Sequence, residues 1–387
     1  MKRAMSKLLP FTKCGTRYCG RGIASLLLGV TLSASGLVYA QDDGGTPLKD
    51  VSKWIESNTG DKIKLGVGFR GSVRSVENGS TDGDNWKTDG QLDNMRLYVN
   101  AKMNEHFAVE FNTEWDRTND EEIRVLDGVL KYSKSEAFNI WLGRHLPPSD
   151  RSNLDGPYYL ATYEYPSMVS RYPSIFAGRD DGLSVSGQFE GGKLKYAVGA
   201  YKGTDNPNSK QLFAGRFTYN FLDPEPGYYT SSTYYGAKDV FAIGLVLQYQ
   251  GDGADAGVAG VDDGTEDFLG YNVDVLFEKG LSNDGVITVE GAAYRYDLNG
   301  VDGDGEAFMG LLGYLIPKEV GPGKFQPHVR YQTFEDDVAD QTLEQFDVGV
   351  NYVIDGHNAR LSLVYSLVDT LTQDDASQIV LGAQFQF

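Results

Sequence analysis

Residues 377–387 read SQIVLGAQFQF, and their alternation decides the fold. Ile379, Leu381, Ala383, Phe385 and Phe387 share one face at the two-residue period of a strand, while Gln378, Gly382, Gln384 and Gln386 share the other. A soluble sheet buries its apolar face against a second layer. A closed barrel in a bilayer needs none, because lipid covers the outside and closure pairs every strand edge. Barrels of this kind commonly end on a strand with a terminal Phe, and Phe387 fits that pattern.

The same alternation runs upstream. Ile63, Leu65, Val67 and Phe69 oppose Lys64, Gly66, Gly68 and Arg70; Met95, Leu97, Val99 and Ala101 oppose Asn94, Arg96, Tyr98 and Asn100. In the third segment Phe107, Val109, Phe111 and Trp115 oppose Glu110, Asn112, Glu114 and Asp116, a charged face that needs water. Counting on predicts strands at 63–74, 94–103, 107–116, 123–133, 138–145, 181–189, 193–202, 211–221, 239–250, 267–279, 286–297, 306–316, 324–334, 342–354, 359–369 and 377–387. Sixteen is an even number, as a single-chain barrel with both ends on one side requires. The expected fold is therefore all-β, a membrane-spanning antiparallel β-barrel over 61–387. Parity puts short turns at 190–192, 283–285 and 355–358 on the periplasmic side. It also puts 222–238 there, which with Pro224, Pro226 and four tyrosines is long for such a turn.

Residues 1–40 read as a signal peptide: six basic residues, no acid, an apolar stretch at 23–38 and the small-residue site Val38-Tyr39-Ala40. Its loss takes the formal net charge from −19 to −25, which excludes nucleic acid as a natural partner. Cys14 and Cys19, the two cysteines, fall in that segment, so the rest of the chain has no disulfide, thiolate metal site or cysteine nucleophile. Beyond Ala40 no apolar run reaches the ~20 residues of a spanning helix. Residues 41–60 are polar, with two turns of amphipathic helix at Leu48, Val51, Trp54 and Ile55 expected in the periplasm; they are too few for a plug domain.

The longest loop, 146–179, carries five prolines together with Tyr158, Tyr159, Tyr163, Tyr165 and Tyr172. It is too apolar to extend into water, so it is expected to fold into the barrel, with an external lid or subunit contact as the competing arrangement. Its candidate constriction residues, with those flanking it, are Arg144, His145, Asp150, Arg151, Asp155, Glu164, Arg171, Arg179 and Asp180. By alternation Arg70, Arg74, Arg96, Arg216, Arg330 and Arg360 point into the lumen. They are expected either to build a basic wall or to pair with inward acids such as Asp347. Among the histidines, His106, His145, His328 and His357, none is accompanied by a nucleophile motif, and no catalysis, cofactor or metal site is expected. The acidic loops 252–267 and 302–306 lack the full spacing of a calcium loop and read as solvated.

The run GRHLPP from Gly143, the run GRDDGLSVSGQFEGGKLKYAVGAYKG from Gly178, the run FDVGVNYVIDGHNARLSLVYS from Phe346 and the terminal Phe resemble the phosphate-selective porin O and P family. The resemblance implies a sixteen-stranded, trimeric outer-membrane channel whose third external loop folds inward. Residues 144–181 hold four arginines against five acids and no lysine, unlike the dense basic loop of phosphate-selective members. The expectation is a passive channel for small hydrophilic solutes and ions with weak anion preference. An anion- or phosphate-specific porin is the alternative, and a barrel enzyme or surface-binding protein is less favoured.

Overall fold

The computed structural model describes residues 62–80, 85–117, 122–204, 209–254, 266–301, 303–369 and 376–387. The expected signal peptide, the segment 41–60, the centre of the acidic loop at 252–267 and Asp302 lie outside these residues. The strands are β1 (Ile63–Val76), β2 (Lys87–Lys102), β3 (Phe107–Asp116), β4 (Ile123–Ser135), β5 (Phe138–His145), β6 (Asp180–Phe189), β7 (Leu194–Tyr201), β8 (Leu212–Asn220) and β9 (Val240–Ala254). The series continues with β10 (Glu266–Gly280), β11 (Val286–Asp297), β12 (Gly305–Leu315), β13 (Glu319–Val320), β14 (Gly323–Asp336), β15 (Gln341–Asp355), β16 (Ala359–Val368) and β17 (Ala376–Gln386).

Each strand pairs antiparallel with the next, except that β12 pairs with β14, and β17 returns to β1 in a ladder from Gly68↔Gln386 to Val76↔Gln378. Backbone bonds of 2.9 and 3.0 Å between Val67 and Phe387 finish the seam. The two-residue β13 is a rung inside the turn that joins β12 to β14, which pair directly, so sixteen strands close the barrel. The largest departure from expectation is at β2, which begins at Lys87 rather than 94. Past a bulge at Arg70/Gly71, residues 87–92 continue the ladder with 71–76 despite their polar sequence.

The alternation sorts side chains as lipid requires. Leu97, Phe111, Leu245 and Leu363 are 40%, 41%, 53% and 48% exposed on the outside, whereas Glu114, Asp274, Asp347 and Gln384 are buried on the inside. At the turn end, Phe107 packs on Tyr132, Phe189 on Tyr196, Phe221 on Tyr219 and Phe241, and Phe325 on Tyr352. Rings gathered at one rim are the interfacial girdle of a membrane barrel.

The long turn after β8 contains no strand. Its base is zipped by Phe221 N to Phe241 O at 2.7 Å and Asp223 N to Asp239 O at 2.9 Å. The chain between then leaves the wall and buries Glu225, Ser232 and Thr233. The count of sixteen therefore stands with 222–239 as a turn.

Candidate functional site

The loop between β5 and β6 is built on a short helix, α1 (Arg151–Tyr159), capped by Asp150, whose carboxylate accepts from Asn153 N at 3.3 Å. Gly156, at φ 57°, kinks the helix ahead of Pro157. Asp150 is fully buried and also accepts from Tyr294 Oη at 2.7 Å and Ser170 Oγ at 2.9 Å. Burial pushes its carboxyl up to about 6.

All six alternation-selected arginines meet this loop. Arg70 donates to the Tyr163 carbonyl and to Asn94 Oδ1 (2.6 Å), and lies 4.3 Å from the Tyr163 ring centre. Arg74 pairs with Glu164 at 2.7 Å. Arg96 pairs with Glu114 and lies 5.0 Å from the Tyr158 ring centre. Arg216 binds Asp274 (2.8 Å) and the Ser149 carbonyl (3.0 Å). Arg330 joins Asp347 at 2.8 Å, Thr162 Oγ1 at 3.0 Å and the Glu164 carbonyl at 2.7 Å. Arg360 donates to the carbonyls of Leu160 (2.6 Å) and Thr162 (3.4 Å). The set is thus divided: four of the six hold acids, and Arg70 and Arg360 hold only neutral acceptors among the described residues.

The loop's own candidates are also divided. Arg151 forks onto Glu225 at 2.6 and 2.7 Å, and Asp155 accepts from Ser232 Oγ at 2.8 Å, so both face the 222–239 turn. Burial and Glu290 hold the Asp155 carboxyl well above the usual carboxylate range. Arg171 lies 4.2 Å from the Phe334 ring centre, its backbone N–H on Tyr296 Oη at 3.0 Å. Arg179 binds Asp127 at 3.2 Å. His145 contacts Ser184 Oγ at 2.6 Å, and Asp180 accepts from Gly203 N at 2.6 Å. Arg144 stands apart, bonded to Asp181 at 2.8 Å on the strand face of Leu142 and Leu183.

Sequence reasoning did not select Glu225, Asp274, Glu290, Tyr294 or Tyr296. Their alternation was readable, for all but Glu225 lie on strands, but their partners are far along the chain. Two wall glycines were also passed over. A Cβ on Gly68 would stand 2.8 Å from the ring of Tyr158, and one on Gly382 would strike the ring of Tyr163. A glycine inside a strand is the available signal for such close approach.

No family model matches the chain, and no curated protein matches it. Solved structures do. OprB of Pseudomonas putida at high pH aligns with TM-score 0.61 and 10% identity over 87% of this chain and 97% of that one. An anion-selective porin from Comamonas acidovorans gives 0.54 and 13% over 84% and 99%. The trimer form of in-vitro-folded OmpT, an outer-membrane protein of Vibrio cholerae, gives 0.54 and 13% over 84% and 99%. At these identities the likeness shows the fold alone: a closed sixteen-stranded antiparallel β-barrel, as expected from the sequence.

Proposed function

We propose that the protein is a porin of the bacterial outer membrane, a non-enzymatic passive channel for small hydrophilic solutes and ions. The observation that carries this reading is the inversion of the barrel, apolar outside and charged within, which supplies a wet path through lipid. Residues 146–179, bound along their backbone by wall arginines, form its constriction, and the working assembly is a homotrimer in lipid, as the trimer form of the similar OmpT supports.

Selectivity follows from unneutralised charge. On one side of the barrel Arg70 and Arg360 keep their charge, since carbonyl and amide oxygens do not cancel it. On the other, Glu278 accepts from hydroxyls and backbone N–H groups rather than from bases. The lumen therefore carries a transverse field and a weak anion preference, because salt screens the acidic external loops within about 8 Å while the half-buried groups at the constriction are screened much less. A phosphate-specific porin is the weaker alternative, since the arginines that would grip a phosphate are already bonded. Zero-current potentials in a KCl gradient test the reading: Arg70→Gln with Arg360→Gln should move the potential toward cations. A wild-type channel with strong cation preference, or a double variant with no shift, would overturn it.

A further inference from the structure

Against the inner wall of β6, β7 and β8, at their turn end, lies a half-open pocket of about 270 Å³. That is just under the ~300–1,000 Å³ typical of small-molecule sites, a size that suits one small ion. Across from the wall it is closed by the 222–239 turn, through Gly227, Tyr228 and Thr230. Alternation builds the wall side. Lys195 faces inward on β7, with Gln188 of β6 and Thr218 of β8 as its register partners and Ser186 two residues before Gln188 on the same face. Side chains directly across an antiparallel pair have Cβ atoms about 5 Å apart, and diagonal ones about 7 Å. An ammonium and two hydroxyls from three strands therefore share one spot.

Lys195 and Ser186 are 9% exposed and Thr218 is 3% exposed. Among the described residues, Lys195 Nζ, Ser186 Oγ and Thr218 Oγ1 make no hydrogen bond or ion pair. All three nonetheless keep surface open to the pocket. The other cations nearby are matched: Lys131 by Glu110, Arg216 by Asp274 at 2.8 Å and Arg151 by Glu225 at 2.6 and 2.7 Å. Glu136, the carboxylate on the pocket's rim, is exposed and takes Gln188 Nε2 at 3.4 Å rather than Lys195. Lys195 is left as a buried positive charge with no counterion, and an unpaired buried charge is costly. An occupant that relieves it has to bring negative oxygen, which the two hydroxyls are also able to bond as donors.

We propose that this pocket is an oxyanion site, where a carboxylate or phosphate group entering from the turn side accepts from Lys195 Nζ, Ser186 Oγ and Thr218 Oγ1. Such charge-assisted bonds are the strong ones. The site is separate from the constriction, and Arg70 and Arg360, which set the preference proposed there, take no part in it.

Calorimetric titration of the detergent-solubilised full chain with sodium phosphate, and separately with sodium acetate, is the test, with chloride at matched ionic strength and pH as the reference. The expected result is a saturable heat with at least one of the two: phosphate alone assigns the site to phosphates, acetate alone to carboxylates. Lys195→Gln should weaken that binding about ten-fold, as the loss of a hydrogen bond to a charged group does, while Lys195→Arg retains it. Thr218→Val should weaken it less, and serves the same purpose should Lys195→Gln fail to fold. Saturation by neither anion, or equal binding by wild type, Lys195→Gln and Thr218→Val, overturns the proposal. Lys195→Gln should also leave the zero-current potential in a KCl gradient unchanged. A shift as large as that of Arg70→Gln with Arg360→Gln would place Lys195 in the selectivity wall and overturn the separate site. Conduction without anion binding overturns the pocket alone, and a chain that binds the anion but passes no ions overturns the channel reading instead.

Discussion

Gly382 lies where the ring of Tyr163 rests against the wall, and Gly68 does the same for Tyr158. Tyr163 in turn donates to Asp93 Oδ2 at 2.6 Å, while Gln384 Nε2 donates to the Tyr158 carbonyl at 2.8 Å. Two strand glycines therefore act as flat seats for two loop rings. Filling a seat with one methyl costs about 1–3 kcal/mol in a close-packed site, and the ring, not the ladder, is what gives way. Gly382→Ala should leave the barrel folded, raise single-channel conductance and speed proteolysis within 157–166. Gly310→Ala, whose Cβ would meet nothing nearer than 3.6 Å, should do neither. Equal behaviour of the two variants would remove the docking role of Tyr163. The arginine side chains were legible at this scale, because alternation alone points them inward. What they hold was not, since Arg360 reaches Leu160 across 200 residues of sequence and no local pattern encodes such a contact.

Among the elements, the 222–239 turn has the most unusual task. Turns on that side need only reverse the chain, yet this one rises from its zipped base to meet α1. Ser231 Oγ and Ser232 N donate to the Tyr159 carbonyl at 3.3 and 3.1 Å, and Glu225 closes the fork on Arg151. His357, whose ring is kept neutral because burial and Arg360 push it down to about 3, contacts Ser231 Oγ and the Thr233 carbonyl from the neighbouring turn. Removing Glu225 leaves a guanidinium buried with one fewer charge, a change of about 3–5 kcal/mol. Glu225→Ala should accordingly free α1: trypsin should cut at Arg151 in the folded barrel, and open-channel noise should rise. Resistance to trypsin equal to wild type would mean that the turn does not latch the loop. Strand positions were read to within a few residues over most of the chain because period two is a strong signal. The turn was only recognised as too long, because prolines, tyrosines and serines give it no period and its partners lie some 74 to 80 residues away.

For the molecule as a whole, the energetic question is what the exterior costs when it is made polar. A soluble protein would place the charges of β3 outside and its phenylalanines inside; here Glu110 and Glu114 are 8% and 1% exposed while Phe111 is 41% exposed. That arrangement is stable only if hydrocarbon surrounds Phe111, and the cost of a charge there must depend on depth. Phe111 sits in the middle of β3, and Phe107 at its turn end against Tyr132, ring centres 5.0 Å apart. Phe111→Arg should destabilise the barrel in vesicles by about 2–4 kcal/mol, the midplane figure for arginine. Phe107→Arg should cost less, about 1 kcal/mol from the lost ring pair with little added, since an arginine at the interface reaches water. Guanidinium unfolding from lipid vesicles measures both. Equal penalties at the two positions would mean that β3 does not cross a hydrocarbon layer, and the inverted barrel would lose its membrane explanation.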